Sequence, residues 1–90
     1  MDSTGAVNTL SEVCYTVVSE LVDYPEGVLI TQTLGTGSTT AVITIRADKS
    51  DYGKVIGRNG RNVEALRTLL EAIATKHKVR LLIEIDDKRK

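Results

Sequence analysis

The sequence predicts an α+β fold: a two-layer sandwich in the order α-β-β-α-α-β, with a three-stranded sheet carrying its helices on one face. Apolar residues repeat at three-and-four spacing in an N-terminal segment and again after residue 61, and they alternate at a spacing of two around residues 41–45 and 79–85. The ninety residues make one domain, and a chain of that length buries only about 60% of its unfolded surface. Three strands in so small a chain cannot be covered on both sides, so the helices belong in a single layer and the other sheet face stays open.

Residues 1–8 are expected to be a flexible N-terminus, 9–86 the domain itself and 87–90 a polar, basic tail. Leu10, Val13, Cys14, Val17, Val18, Leu21 and Val22 form one apolar stripe, the mark of an amphipathic first helix. Thr9 with Glu12 three residues on has the form of a capping box, and Pro25 with Gly27 stops the helix after Tyr24. Residues 28–34 and 39–47 are rich in β-branched side chains, and Gly35-Thr36-Gly37-Ser38 between them marks a hairpin, with Ala41, Ile43 and Ile45 sharing a face. Residues 48–51 read as a turn or helix start leading into the short segment 52–56, which glycines 57 and 60 interrupt. From Arg61 the helical pattern resumes, with Val63, Leu66, Leu69, Leu70 and Ile73 on one side and an i, i+4 pair of Arg67 and Glu71 on another. Val79, Leu81, Ile83 and Ile85 then alternate with Arg80, Glu84 and Asp86 in a last strand.

Composition removes several classes of function. The lone cysteine, Cys14, cannot form an internal disulfide, and together with the single His77 it falls short of a zinc ligand set. Cys14 lies on the apolar stripe and reads as a packing residue, His77 as a solvated residue near a helix end. Three tyrosines without Phe or Trp cannot furnish the stacking platform of an RRM or OB-fold. No apolar run approaches the roughly 18 residues of a membrane span, so membrane insertion is not expected, and the N-terminal segment lacks the basic flank of a signal peptide, which makes the cytoplasm the expected compartment. Neither an enzyme nor a cofactor is expected: the spacing of Gly53, Gly57 and Gly60 is not that of a phosphate-binding G-x-x-x-x-G-K-[ST] loop. A helix-turn-helix does not call for the strands that flank this helix pair.

The formal charge of zero conceals a split. Residues 1–45 hold Asp2, Glu12, Glu20, Asp23 and Glu26 with no Lys or Arg, whereas residues 46–90 hold all twelve basic residues against seven acidic ones. An uneven solvated surface would account for this, and so would an anionic partner for the second half, because local potential steers association. The segment from Gly53 to Val63, Gly-Lys-Val-Ile-Gly-Arg-Asn-Gly-Arg-Asn-Val, favours the second reading. Chance alone gives about half a G-x-x-G match per such sequence, so its context carries the signal. Here it lies between two helical patterns, with Val55 and Ile56 before it and Lys54, Arg58 and Arg61 around it. Glycines let a ligand backbone approach, the following helix offers N–H groups and the positive end of its dipole, and the arginines match phosphate. Val55, Ile56 and Val63 could wall a groove for an unstacked base or simply pack in the core.

At Val55-Ile56-Gly57-Arg58-Asn59-Gly60-Arg61-Asn62-Val63 the sequence resembles the K-homology (KH) family, whose signature is an apolar pair, G-x-x-G with basic or polar middle residues, and an apolar residue three positions on. The element order resembles the type II arrangement, and the likeness runs from Thr9 to Asp86, as in small bacterial RNA-binding proteins with little outside the KH domain. The resemblance implies a groove for about four nucleotides of single-stranded RNA. Gly57, Arg58, Asn59 and Gly60 would be the clamp, flanked by Lys54 and Arg61. Val55, Ile56 and Val63 would lie beside the groove, with Leu81 or Ile83 as its far wall. It also implies self-association as a homodimer, a larger KH-domain protein as a second partner, and a role in RNA chaperoning or post-transcriptional regulation. The alternative is a KH-shaped interaction or assembly domain without direct RNA contact.

Overall fold

The structure, a computed structural model, describes residues 3–34 and 39–86. In chain order the elements are α1 (Ser3–Leu21), β1 (Leu29–Leu34), β2 (Thr40–Arg46), α2 (Tyr52–Ile56), α3 (Arg61–Lys76) and β3 (Arg80–Ile85), with single 3-10 turns at Pro25–Gly27, Lys49–Asp51 and Arg58–Gly60. This is the α-β-β-α-α-β order expected. The sheet runs β1-β2-β3, with β1 antiparallel to β2 and β2 parallel to β3. A hairpin explains the first pairing. The second requires the chain to cross from one end of the sheet to the other, and α2 and α3 make that crossing.

Ala41, Ile43 and Ile45 are fully buried on the helix-facing side of β2, where they meet Leu10, Cys14 and Val18 of α1 and Leu66, Leu70 and Ala74 of α3 in one cluster. Tyr52 and Val55 complete it. Tyr52 is the one aromatic residue in that cluster, and its hydroxyl donates to the Asp86 carbonyl and accepts from the Ala47 N–H, so its polar end is satisfied at the sheet margin. Among the described residues the opposite sheet face carries no helix: Leu29 and Leu82 are exposed there, with Val42 and Thr44 half-buried between them. Burial pushes the Cys14 thiol up to about 12, which keeps it protonated and makes it a packing group, as expected.

Four local expectations are corrected. The first helix begins at Ser3, not after Thr9; the Thr9 hydroxyl donates back to the Gly5 carbonyl inside the helix, so no capping box forms. It ends at Leu21, not Tyr24, because the N–H groups of Asp23 and Tyr24 are taken by the Asp51 carboxylate, at 3.1 and 3.0 Å, in place of helix carbonyls. Leu69 is 60% exposed. At about 100° per residue it stands roughly 100° from the centre of the face made by Leu66, Leu70 and Ala74, whereas Ile73 stands about 60° off and is half-buried. Arg67 pairs with Glu64 at 2.8 Å instead of Glu71, since long helical side chains lean back toward the N-terminus. The expected turn at residues 35–38 and tail at 87–90 lie outside the described residues.

Helix α3 closes on a residue the sequence did not flag. Lys78 adopts φ 61°, and the N–H groups of Lys78 and Val79 donate to the carbonyls of Thr75 and Ala74. That is the double bond pattern of a left-handed helix stop, here without the usual glycine.

Asp51 is the one buried charged residue among the described residues, with no exposed surface. Its oxygens hold the exit of α1 against the start of α2. Asp51→Ala is expected to lower stability by about 2–4 kcal/mol, because it strands two backbone donors and the adjacent Lys54 ammonium. Asp51→Asn, which keeps one good acceptor, is expected to lose less. Urea denaturation of the three proteins checks both.

Candidate nucleic-acid interface

Helix α2 is stopped by Gly57, whose N–H still donates to the Gly53 carbonyl at 2.9 Å while its own dihedrals turn to φ 81° and ψ 168°, a region open only to glycine. A Cβ there would come within 2.7 Å of the Asn62 backbone nitrogen and side chain. The start of α3 is therefore packed directly onto the glycine. Asn62 adds a bond of its own: its Nδ2 donates to the Lys54 carbonyl at 2.8 Å, stapling the end of α2 to the first turn of α3. Sequence reading gave Asn62 no role. A polar residue two positions after the glycine pair, at the head of a helix, was the available signal.

The loop then reverses through Asn59, at φ 57°, and Gly60, at φ 76°, both left-handed. Asparagine tolerates that conformation better than most residues, so the motif's second middle position suits the backbone as well as any ligand. Around Gly60 no atom lies within 4 Å of where a Cβ would be, which leaves open space over the loop. No side chain caps α3, whose N-cap is Gly60 itself, and the Arg61 N–H turns back to the Arg58 carbonyl, so the positive end of the helix lies beside that space with no side-chain acceptor. The one acidic residue of the first turn, Glu64, is engaged by Arg67.

Arg58, Asn59 and Arg61 are exposed, and neither arginine makes an ion pair among the described residues. Ile56 and Val63 are half-buried on either side of the loop, and neither belongs to the apolar residues packed on the main core among the described residues. Two expected site residues behave differently. Val55 is 1% exposed and sits in the core, so it supports the loop from beneath and offers no wall to a ligand. Lys54 lies 3.2 Å from Asp23 and 3.7 Å from Asp51. The hydrogen bond it donates to Asp23, and that carboxylate's negative charge, hold the Lys54 ammonium above the ordinary lysine range, so it is a tethered cation and not a mobile one.

At the other end of α3 an open depression of about 730 Å³ is lined by Thr40, Glu71, Ala74, Thr75, Val79, Arg80, Leu81 and Leu82. Leu81, one of the two residues expected as a far wall, is at its edge. Ile83 is in the core. Among the described residues no group of three or more His, Cys, Asp or Glu side chains is placed to hold a metal ion, and no helix is long and apolar enough to cross a membrane.

A two-layer sheet with two parallel strands joined by a helix pair, and a glycine-hinged basic loop at the joint of that pair, define a KH domain of type II order. The chain belongs to the KhpA/KhpB family of KH domains, whose family model matches residues 11–85. Its relatives include the RNA-binding protein KhpA of Chlamydia pneumoniae, 38% identical over 73 residues that make up 81% of this chain and 91% of that protein. The RNA-binding protein KhpA of Aquifex aeolicus is 39% identical over 79 residues, 88% of this chain and 98% of its own. That of Listeria monocytogenes is 37% identical over 76 residues, 84% and 97% respectively. No solved structure matches the chain.

The two glycines of the loop are expected to differ in what they tolerate. Gly57→Ala must displace the Asn62 backbone as well as strain its own dihedrals, for a loss of more than about 3 kcal/mol. Gly60→Ala meets no neighbour and loses only the left-handed penalty, about 1–2 kcal/mol. Chemical denaturation curves for the two variants separate these costs.

Proposed function

We propose that this protein binds single-stranded RNA in the cytoplasm, as an RNA chaperone or post-transcriptional regulator, with the loop Gly57-Arg58-Asn59-Gly60 gripping the sugar-phosphate backbone. The observation that carries the reading is the loop itself: two exposed arginines, unpaired among the described residues, beside a helix N-terminus without a side-chain cap, over backbone that glycine keeps open. The names of the KhpA relatives support it. Arg58 and Arg61 reach phosphates as planar forks, and Ile56 and Val63 give unstacked bases an apolar margin. Helix α3 leads from this clamp toward the depression that begins at Glu71, about 15 Å from Arg61 at 1.5 Å per residue, which gives a short strand a place to continue. Nothing in this arrangement requires catalysis.

With Lys54 held by two carboxylates, two cations remain for phosphate. At about −0.7 per phosphate on a single strand, binding affinity is expected to fall with a log-log salt slope of about −1.4, where three free cations would give about −2. Arg58→Asp combined with Asn59→Asp is expected to abolish binding while moving stability by less than about 1 kcal/mol, since both side chains are exposed and leave no cavity. Fluorescence anisotropy with a short unstructured RNA over a salt series, beside circular dichroism melts, reads both quantities. A double variant that melts like the parent and binds RNA equally well would return the domain to the interaction-module reading.

We infer also that the protein acts as a homodimer, with a larger KH-domain protein as a further partner. The open sheet face supports this, because the exposed Leu29 and Leu82 lie where no helix of the described residues covers them. Two grooves on one assembly raise avidity for a longer RNA without a new contact. Sedimentation equilibrium at micromolar concentration is expected to give twice the 9.8 kDa chain mass; a monomer alone would exclude the dimer.

A further inference from the structure

Lys54 stands where the sequence motif places a phosphate-binding cation, yet its surroundings give it other work. Its ammonium is 3.2 Å from an Asp23 oxygen and 3.7 Å from Asp51 Oδ1. The same Asp51 oxygen accepts the Asp23 N–H, so the three groups converge where the exit of α1 meets α2. The cluster's formal charge is negative, with two carboxylates against one ammonium. It lies four residues before Arg58, at the foot of the loop. The two carboxylates are not equivalent. Asp51 is completely buried and fixed by two backbone donors, whereas the Asp23 side chain is 66% exposed and makes the shorter contact to Lys54.

We propose that Asp23 is a positioning residue that withholds Lys54 from the RNA backbone, so that it sets how many phosphates the loop can neutralise. This rests on the RNA-binding reading above. With Asp23 in place, a phosphate that recruits Lys54 must break the shorter, 3.2 Å ion pair in addition to drawing the ammonium away from Asp51, and Asp23 adds the first of those costs. Without the Asp23 charge, the remaining 3.7 Å contact is too long for a hydrogen bond, and a four-carbon stem lets the ammonium swing toward the loop. The acidic end of the first helix thereby restrains the basic half of the chain. The charge split between the two halves acquires a local purpose: attraction for RNA is graded and not maximal.

Asp23→Asn is the direct test, since it removes the charge and keeps the backbone N–H that Asp51 holds. Anisotropy with the same short RNA is expected to give binding about threefold or more tighter at about 50 mM salt, with a log-log slope steeper by about 0.7. The advantage over the parent is expected to shrink two- to threefold by about 200 mM. Adding Lys54→Gln to Asp23→Asn should cancel both the gain and the extra slope. A role confined to folding would move the melting temperature and leave the slope alone, and Asp23→Ser serves as a second charge-removing variant should the first melt early. If the parent binds RNA while Asp23→Asn matches it in affinity and slope, the restraint is overturned and the RNA-binding reading stands. A gain that survives Lys54→Gln also overturns it, because the effect is then general charge and not Lys54. A parent protein that binds no RNA overturns the RNA-binding reading and this proposal together.

Discussion

The buried carboxylate of Asp51 decides how the first helix meets the rest of the molecule. By accepting the N–H groups of Asp23 and Tyr24 it ends α1 one residue before Val22, the last apolar position of the stripe, and it aims the chain through the Pro25 turn into β1. The same residue immediately precedes Tyr52, which opens α2 and is the largest fully buried side chain among the described residues. An apolar residue at that position could fill the volume but could not receive two backbone donors, and α1 would have no fixed exit. The compensating cation is Lys54, on the next turn. Core, helix exit and loop foot are thus joined through one acidic group.

Above that joint, the loop owes its shape to close packing. Gly57 permits the Asn62 backbone to approach to a distance no side chain would allow, and the Asn62 amide ties α2 to α3. Rigid backing of this kind would serve the proposed clamp, which has few donors. A loop held in place on both sides loses little conformational freedom when a ligand arrives, so more of each phosphate contact is realised as affinity. Val55, packed beneath, performs the same service from the core.

Element order, sheet composition and the apolar stripes were legible from residue spacing alone, because alternate burial of Ala41, Ile43 and Ile45 and the repeat through Leu66, Leu70 and Ala74 are direct images of strand and helix geometry. The loop was legible too, since glycine pairs flanked by arginines have few competing explanations. What the sequence hid was decided by contacts between distant residues. Thr9 and Glu12 have the form of a cap, but the chain before them is helical and Thr9 turns its hydroxyl inward to Gly5. Lys54 reads as free until Asp23, thirty-one positions earlier, is brought beside it. Val55 and Ile56 are neighbours of the same character, and only the packing of α2 against the sheet and α3 assigns one to the core and leaves the other near the surface.

Parallel pairing of β2 with β3 has a consequence for cooperativity. Each paired position, from Thr40 with Arg80 to Ile45 with Ile85, joins residues forty apart, and the loop lies inside every one of those rings. Ring closure of that length costs little more than that of a shorter one, but it is all-or-none: with β3 detached, β2 keeps only β1 as a partner and α3 loses the strand it packs on. The 57–60 geometry has no separate scaffold to fall back on. Opening of the C-terminal strand and loss of the loop's shape therefore belong to one sub-global unfolding event, and amides of α2, α3 and β3 form a single unit of exchange protection.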